Sequence, residues 1–233
     1  MLSVEDYTRV RNAITNGTTI SLKTKSYTSR HRDHVDRVLS LYLYELGLVH
    51  LHNNLAYCVH ELAGNARNAL LKRLWFQEQG LELSDRSVYT SSIPAFRAAI
   101  SAESDRYLRL LEDSPYRIRF LFSHDQAHIR IVVENNAPLL PIERERIDAK
   151  LEAARRYTSM ADAYGALSDF SEGAGLGIAM VVVILKTLGL SDDVLVVDDG
   201  GKSANMTRSI ITLRRAPGRG ATSNAPAGQG QAT

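Results

Sequence analysis

Residues 116–138, YRIRFLFSHDQAHIRIVVENNAP, hold the pattern from which the fold is read. In 116–123 (YRIRFLFS) and again in 127–134 (AHIRIVVE) apolar side chains recur at every second position, the period of a strand with one buried face. The short polar link HDQ between them implies an antiparallel hairpin. Upstream, GTTISLKTKS at 17–26 alternates in the same way, and 31–47 repeats Val35, Val38, Leu39, Leu41, Leu43 and Leu46 at helical spacing up to Gly47. A second helix is expected from Asn54 through LAYCVHELAGNARNALLKRL, with Leu55, Val59, Leu62, Ala66 and Ala69 on one stripe. Residues 91–113 read as a helical excursion before the sheet resumes, with Phe96, Ile100, Tyr107 and Leu110 as its apolar stripe.

Downstream of the hairpin, Pro138 and Pro141 punctuate the chain, and 142–167 is charged and helical in pattern. SDFSEGAGLG then interrupts it with glycines at every second position. A helix through Leu188 and strands at 194–198 and 207–214 complete the core. Helices and strands cluster rather than alternate, so the expected fold class is α/β, a two-layer sandwich with a mixed, mostly antiparallel sheet and helices on one face.

Of the 233 residues, 44% are hydrophobic and 23% charged, the range of a globular chain, and the net charge of +2 leaves no basic footprint for nucleic acid. A lone Cys58 excludes an internal disulfide and a multi-cysteine metal site, and suits a reducing compartment. The first residues, MLSVEDYTRVR, have no apolar core of a signal peptide. The longest apolar run, Ala174 to Leu185, is shorter than the ~20 residues of a membrane span. A cytoplasmic protein without membrane or nucleic-acid contact is expected, with one domain over 1–215. The last residues, 217–233, lack large apolar side chains and are expected to be a disordered tail.

Glu61 and Asn65 lie four residues apart, on one helical face. Asn65 offers an amide oxygen that can complete the coordination of a phosphate-held Mg²⁺, and Glu61 can orient or deprotonate a water. The alternative is a solvated helix face. His60-Glu61 does not make a zinc protease motif, because the second His would fall on Gly64. The segment Gly173, Gly175, Leu176, Gly177 opens an apolar helix, and its backbone can approach phosphate oxygens. Asp198 follows the last glycine by about 20 residues, as a ribose-binding acid would, but no strand precedes the glycines and too little chain follows for a dinucleotide fold. GGKS at 200–203 lacks the first glycine of a P-loop, which falls on Val196, and reads as a turn.

Taken in order, the acid-plus-amide helix, the ENNAP segment after a strand and the glycine segment before a helix resemble the nucleotide-binding domain shared by sensor histidine kinases, anti-sigma-factor kinases, type II topoisomerases, the Hsp90 chaperone and MutL. The resemblance covers roughly residues 15–215. It implies the Bergerat-type fold, ATP and Mg²⁺ as cofactors, Asn65 as the metal ligand and Glu61 as the base or its remnant. It also implies that Gly173, Gly175, Leu176 and Gly177 close over the triphosphate, that Thr207 lies near the adenine pocket, and that 142–172 forms the ATP lid. Arg144, Arg146, Lys150, Arg155 and Arg156 are that segment's cations, and Lys72 and Arg73 follow Asn65; which of them meets a phosphate stays open. The family's Asp-Asn-Gly-x-Gly is replaced here by Asn135-Asn136-Ala137-Pro138-Leu139, so Asn135 stands where an aspartate accepts the adenine amino group. Such a neutral hydrogen bond is weaker by roughly 1 kcal/mol, about fivefold in affinity; alternatively Asn135 caps the strand-to-loop turn. The expected role is a free-standing regulatory ATP-binding protein, able to hydrolyse ATP slowly or phosphorylate a protein partner and to pair with a second copy. The competing expectation is a non-catalytic interaction module of the same fold. His31 and His34 do not supply a phosphoacceptor hairpin, since they lie on the one helix expected before Asn54.

Overall fold

The computed structural model describes residues 3–157, 159, 161–163, 176–190, 194–201 and 205–214. Its centre is the hairpin of β2 (Ile118–His124) and β3 (His128–Asn135). The Asp125 carboxylate accepts hydrogen bonds from the Ala127 and His128 amides at 2.8 and 2.7 Å, which closes the turn and holds its carboxyl below the usual carboxylate range. β1 (Ile20–Thr24) joins β2 and β5 (Thr207–Arg214) joins β3, with β4 (Leu195–Asp198) outside β5, in the order β1-β2-β3-β5-β4. Every pairing among the described strands is antiparallel, so the sheet has no parallel member there.

One face of the sheet is apolar. Ile20, Leu22, Ile118, Phe120, Phe122, Ile129, Ile131, Val133, Ile211 and Leu213 are buried on it. The other face carries ion pairs between register neighbours, Arg119 with Glu134 and Arg208 with Asp198. Arg208 holds Asp198 by two bonds of 2.7 and 3.0 Å, and Gly200 donates to it at 2.8 Å, so this acid is spent on the sheet and its turn, not on a ribose.

The helical layer begins with α1 (Val4–Asn16), which the charge-rich N-terminal sequence did not announce. Ser3 caps it by accepting from the Asp6 amide at 3.0 Å, and Gly17 ends it in the left-handed region at φ 62°. α2 (Ser29–Glu45) therefore is not the one helix before the long α3 (His52–Glu78). His34 sits 3.2 Å from Asp6 of α1, and His31 closes the capping box with Thr28. α3 crosses the sheet with Leu55, Val59, Leu62, Ala66 and Leu70 buried. Ala69 of the expected stripe is only half buried.

The excursion resolves into two helices, α4 (Arg86–Ala102) and α5 (Ser104–Asp113). Leu110, expected inside, is exposed and Leu111 is buried instead, because α5 starts afresh and shifts the helical phase. α6 (Pro141–Arg155) ends earlier than the charge pattern suggested. α7 (Leu176–Thr187) is rich in β-branched residues, yet Ile178 through Leu185 are all buried, and it packs as a helix against both α3 and α6. A helix apolar on every side belongs in an interior, and that burial outweighs its modest intrinsic propensity. The expected tail 217–233 and the residues of 142–172 beyond α6, apart from 156, 157, 159 and 161–163, lie outside the described residues.

α6 is tied to α3 by a buried ion cluster. Glu143 accepts from Lys72 at 2.8 Å and from Arg73 at 2.9 Å, and Arg73 also donates to the Ala69 carbonyl at 2.8 Å and to that of Pro138. Burial opposes ionisation of Glu143, but the two cations outweigh it and hold the carboxyl below its ordinary value. A carboxyl lowered on folding contributes stability above its unfolded pKa and loses it as pH falls through the folded one. Glu143→Ala, which strands two buried cations, is expected to cost about 3–5 kcal/mol at neutral pH in urea denaturation. Below about pH 4 the wild type should lose this advantage while the variant does not, and equal stabilities at neutral pH would show the cluster to be energetically idle.

Candidate functional site

α3, α4, α6, α7 and the ends of β3, β4 and β5 enclose a cavity of about 380 Å³. α3 presents Leu62, Asn65, Ala66, Ala69 and Lys72 to it, positions spaced by three and four and therefore on one face. At ~1.5 Å per residue, Asn65 and Lys72 are separated by about 10 Å along the axis. Asn135 and Thr207 are register partners on β3 and β5 and both line the cavity. Ile178, next to Gly177, closes it from α7. Three motifs far apart in sequence are thus brought together.

Asn65 is exposed and makes no hydrogen bond among the described residues. No group of three or more His, Cys, Asp or Glu among them forms a metal site, so the described residues offer a cation this carboxamide and no carboxylate cage. That donor set fits an ion held mainly by phosphates and water. Glu61, one turn earlier, is not part of the cavity lining. It faces Gly177: a Cβ built on Gly177 would overlap its carboxylate oxygen and stand 3.3 Å from Cδ. The acid therefore lies against the first turn of α7, where the helix dipole favours negative charge. Its neighbour His60 makes other contacts, its Nδ1 2.6 Å from the Tyr27 hydroxyl and its Nε2 3.4 Å from Asp36, and burial lowers its pKa. Gly173 and Gly175 lie outside the described residues, and Leu176 opens α7.

The ENNAP turn has no glycine and is fixed by hydrogen bonds. The Asn135 side-chain oxygen Oδ1 accepts from the Ala137 amide at 3.1 Å, and the Thr207 hydroxyl donates to the Ala137 backbone carbonyl at 2.9 Å. Asn136 accepts from the Arg117 amide at 2.7 Å and donates to the Pro115 carbonyl at 3.1 Å. Asn135 thus caps the turn and borders the cavity at once. Cys58 is fully buried in the core, and that burial pushes its thiol up to about 12.

At the opposite end of the cavity, sequence reasoning named Arg146 and Lys150 as lid cations but did not assign their neighbours. Tyr89, Ile93, Phe96 and Arg97 of α4 and Glu143, Arg146, Ile147 and Lys150 of α6 line it. Their helical spacing was readable, but nothing in the sequence alone said that the two faces meet. Arg144, expected with the lid cations, instead bonds the Val197 carbonyl and anchors α6 to β4. Lys72 and Arg73 are committed to Glu143.

An uncharacterized protein of Treponema pallidum (strain Nichols) is 31% identical over 198 residues, 84% of this chain, and the chain spans 39% of that protein's length. No family model matches the chain, and no solved structure matches it. No helix among the described residues is long and apolar enough to cross a membrane.

Contact between Glu61 and Gly177 is testable by a double-mutant cycle. In the wild-type background Gly177→Ala should be neutral or destabilising because the added methyl displaces the carboxylate. With Glu61→Ala present, the same change should stabilise by up to about 1 kcal/mol, the preference of a helix for Ala over Gly. Urea denaturation of the four proteins measures the coupling, and strict additivity would refute the contact.

Proposed function

We propose that this chain is a cytoplasmic, nucleotide-binding regulatory domain of the histidine-kinase-like type, with the Bergerat-type fold, taking Mg-ATP into the cavity between α3, the sheet and α6. The reading rests on one observation: Asn65, Asn135 and Thr207, drawn from three separated motifs, line a single cavity beside the start of α7. At about 380 Å³ its volume is within the range of small-ligand sites. The purine lies towards Asn135, Thr207 and Ala69, and the phosphates lie towards Asn65 and the start of α7. Bound Mg²⁺ would neutralise phosphate charge and polarise the phosphoryl group. Asn65 donates its carboxamide oxygen to that ion. In this reading Glu61, which lies against the first turn of α7 beside the cavity lining, orients or deprotonates the attacking water or hydroxyl of a protein partner. With its side-chain oxygen engaged by Ala137, Asn135 keeps an N–H donor for a purine ring nitrogen or carbonyl, so adenine and guanine are discriminated less sharply than by a carboxylate.

A second reading, a non-catalytic interaction module acting through a regulatory protein or a second copy of the chain, is favoured by that same turn. Its acceptors, the Asn135 and Asn136 side-chain oxygens and the Ala137 carbonyl, are paired internally without any ligand.

Calorimetry with ATP and GTP, each with and without Mg²⁺, separates the two. Mg²⁺-dependent binding is expected in the wild type and in Glu61→Ala. Asn65→Ala should abolish the metal dependence, and Asn135→Asp should tighten ATP about fivefold, the difference of roughly 1 kcal/mol between neutral and charge-assisted hydrogen bonds. No binding of either nucleotide under any condition leaves the interaction module.

A further inference from the structure

The α4–α6 end of the cavity carries four cations, Lys72, Arg97, Arg146 and Lys150, against one carboxylate, Glu143. That carboxylate is already shared between Lys72 and the buried Arg73. The other acids of α6 do not help. Glu145 pairs with Arg86, Asp148 lies by Arg144, and Glu152 pairs with Arg155. Among the described residues Arg97, Arg146 and Lys150 have no carboxylate partner; the aromatic face of Tyr89 takes Lys72 at 4.9 Å and Arg146 at 5.7 Å. Burial, together with Arg146, Arg97 and Lys72, holds the Lys150 ammonium below the ordinary lysine value. Ile93, Phe96, Leu139 and Ile147 share this wall and keep it partly apolar.

Crowding like charges beside apolar walls costs free energy, and an anion placed among them recovers it. A neutral purine edge does not. We infer that the α4–α6 end of the cavity is an anion subsite for a phosphate group, about 10 Å along α3 from the Asn65 end. The subsite goes beyond the nucleotide reading and does not require it. The phosphate belongs either to the ligand that fills the cavity, which then carries anionic groups at two ends, or to a separate phosphate ion.

Pyrophosphate binding, measured by calorimetry in the presence of a chelator so that no divalent metal contributes, tests the subsite on the full chain. Binding should weaken at least about tenfold, a change of about 1.4 kcal/mol, in Arg146→Gln/Lys150→Gln, and should be unchanged in Asn65→Ala. Absence of binding up to millimolar concentrations, or equal affinity in the double variant, overturns the inference. Where the double variant does not fold, Arg97→Gln on the exposed side of α4 decides: weaker pyrophosphate binding supports the subsite and unchanged binding overturns it. Mg-ATP that displaces pyrophosphate shows that the nucleotide and the anion share the cavity, and independent binding identifies a separate ion; both support the subsite. Pyrophosphate binding without any ATP binding would sink the nucleotide reading and leave the subsite standing, whereas Asn65-dependent ATP binding without pyrophosphate binding does the reverse.

Discussion

Glu143 is the point through which α6 is held to α3 and to the turn that ends β3. Two cations from adjacent positions of α3 converge on it, and one of them continues to the Pro138 carbonyl in the turn that ends β3. α3 is therefore joined, some 70 residues along the chain, to α6 and to the turn that leads from β3 into it. Such a cluster is costly to desolvate and is not an efficient source of net stability. Its effect is positional: it fixes where the N-terminal end of α6 sits relative to α3, and hence the width of the cavity between them. Arg144, the next residue, repeats the arrangement on the opposite side by bonding β4.

Much of this was legible from pattern alone. The hairpin follows from alternation, and α3 from its stripe, because each element's buried face is dictated by its own period. α1 was not legible for the opposite reason: it is mostly polar, and only Val10 and Ala13 of its residues are buried, so its signal lies in a Ser cap and a Gly stop. α5 shifted the apolar phase of the excursion, which a continuous helix reading places on Leu110 instead of Leu111. Side-chain commitments are a different kind of information. Asp198 stood at the spacing of a ribose acid, but whether a carboxylate faces a ligand or a neighbouring strand depends on register, and Arg208 is its register partner.

For the candidate site, the motif positions were readable and their neighbours were not. Asn65, Asn135 and Thr207 were named from sequence and meet at one cavity. Glu61 is close to them in sequence but abuts Gly177 rather than the cavity. The basic wall came from helices 50 residues apart in the chain, α4 near Arg97 and α6 near Ile147, and nothing local in either segment marks the encounter. In place of the flexible glycine loop of the family it resembles, the chain has a turn whose carbonyl and amide groups are paired off one by one. That floor needs no ordering when a ligand arrives, so the conformational cost of binding is reduced there.

Because Glu61, Asn65 and Lys72 belong to one uninterrupted helix, α3 acts as a ruler. The span between the two ends of the cavity is set by helical pitch, independent of any loop, and the side chains are clocked to the same side by the helical repeat. Inserting one residue between Asn65 and Lys72 would turn everything beyond it by about 100° and advance it by only ~1.5 Å. Divergence that lengthens or shortens the loops around the cavity can therefore change what covers it without changing the measure it imposes on a ligand. To alter that measure, evolution would have to work in whole turns.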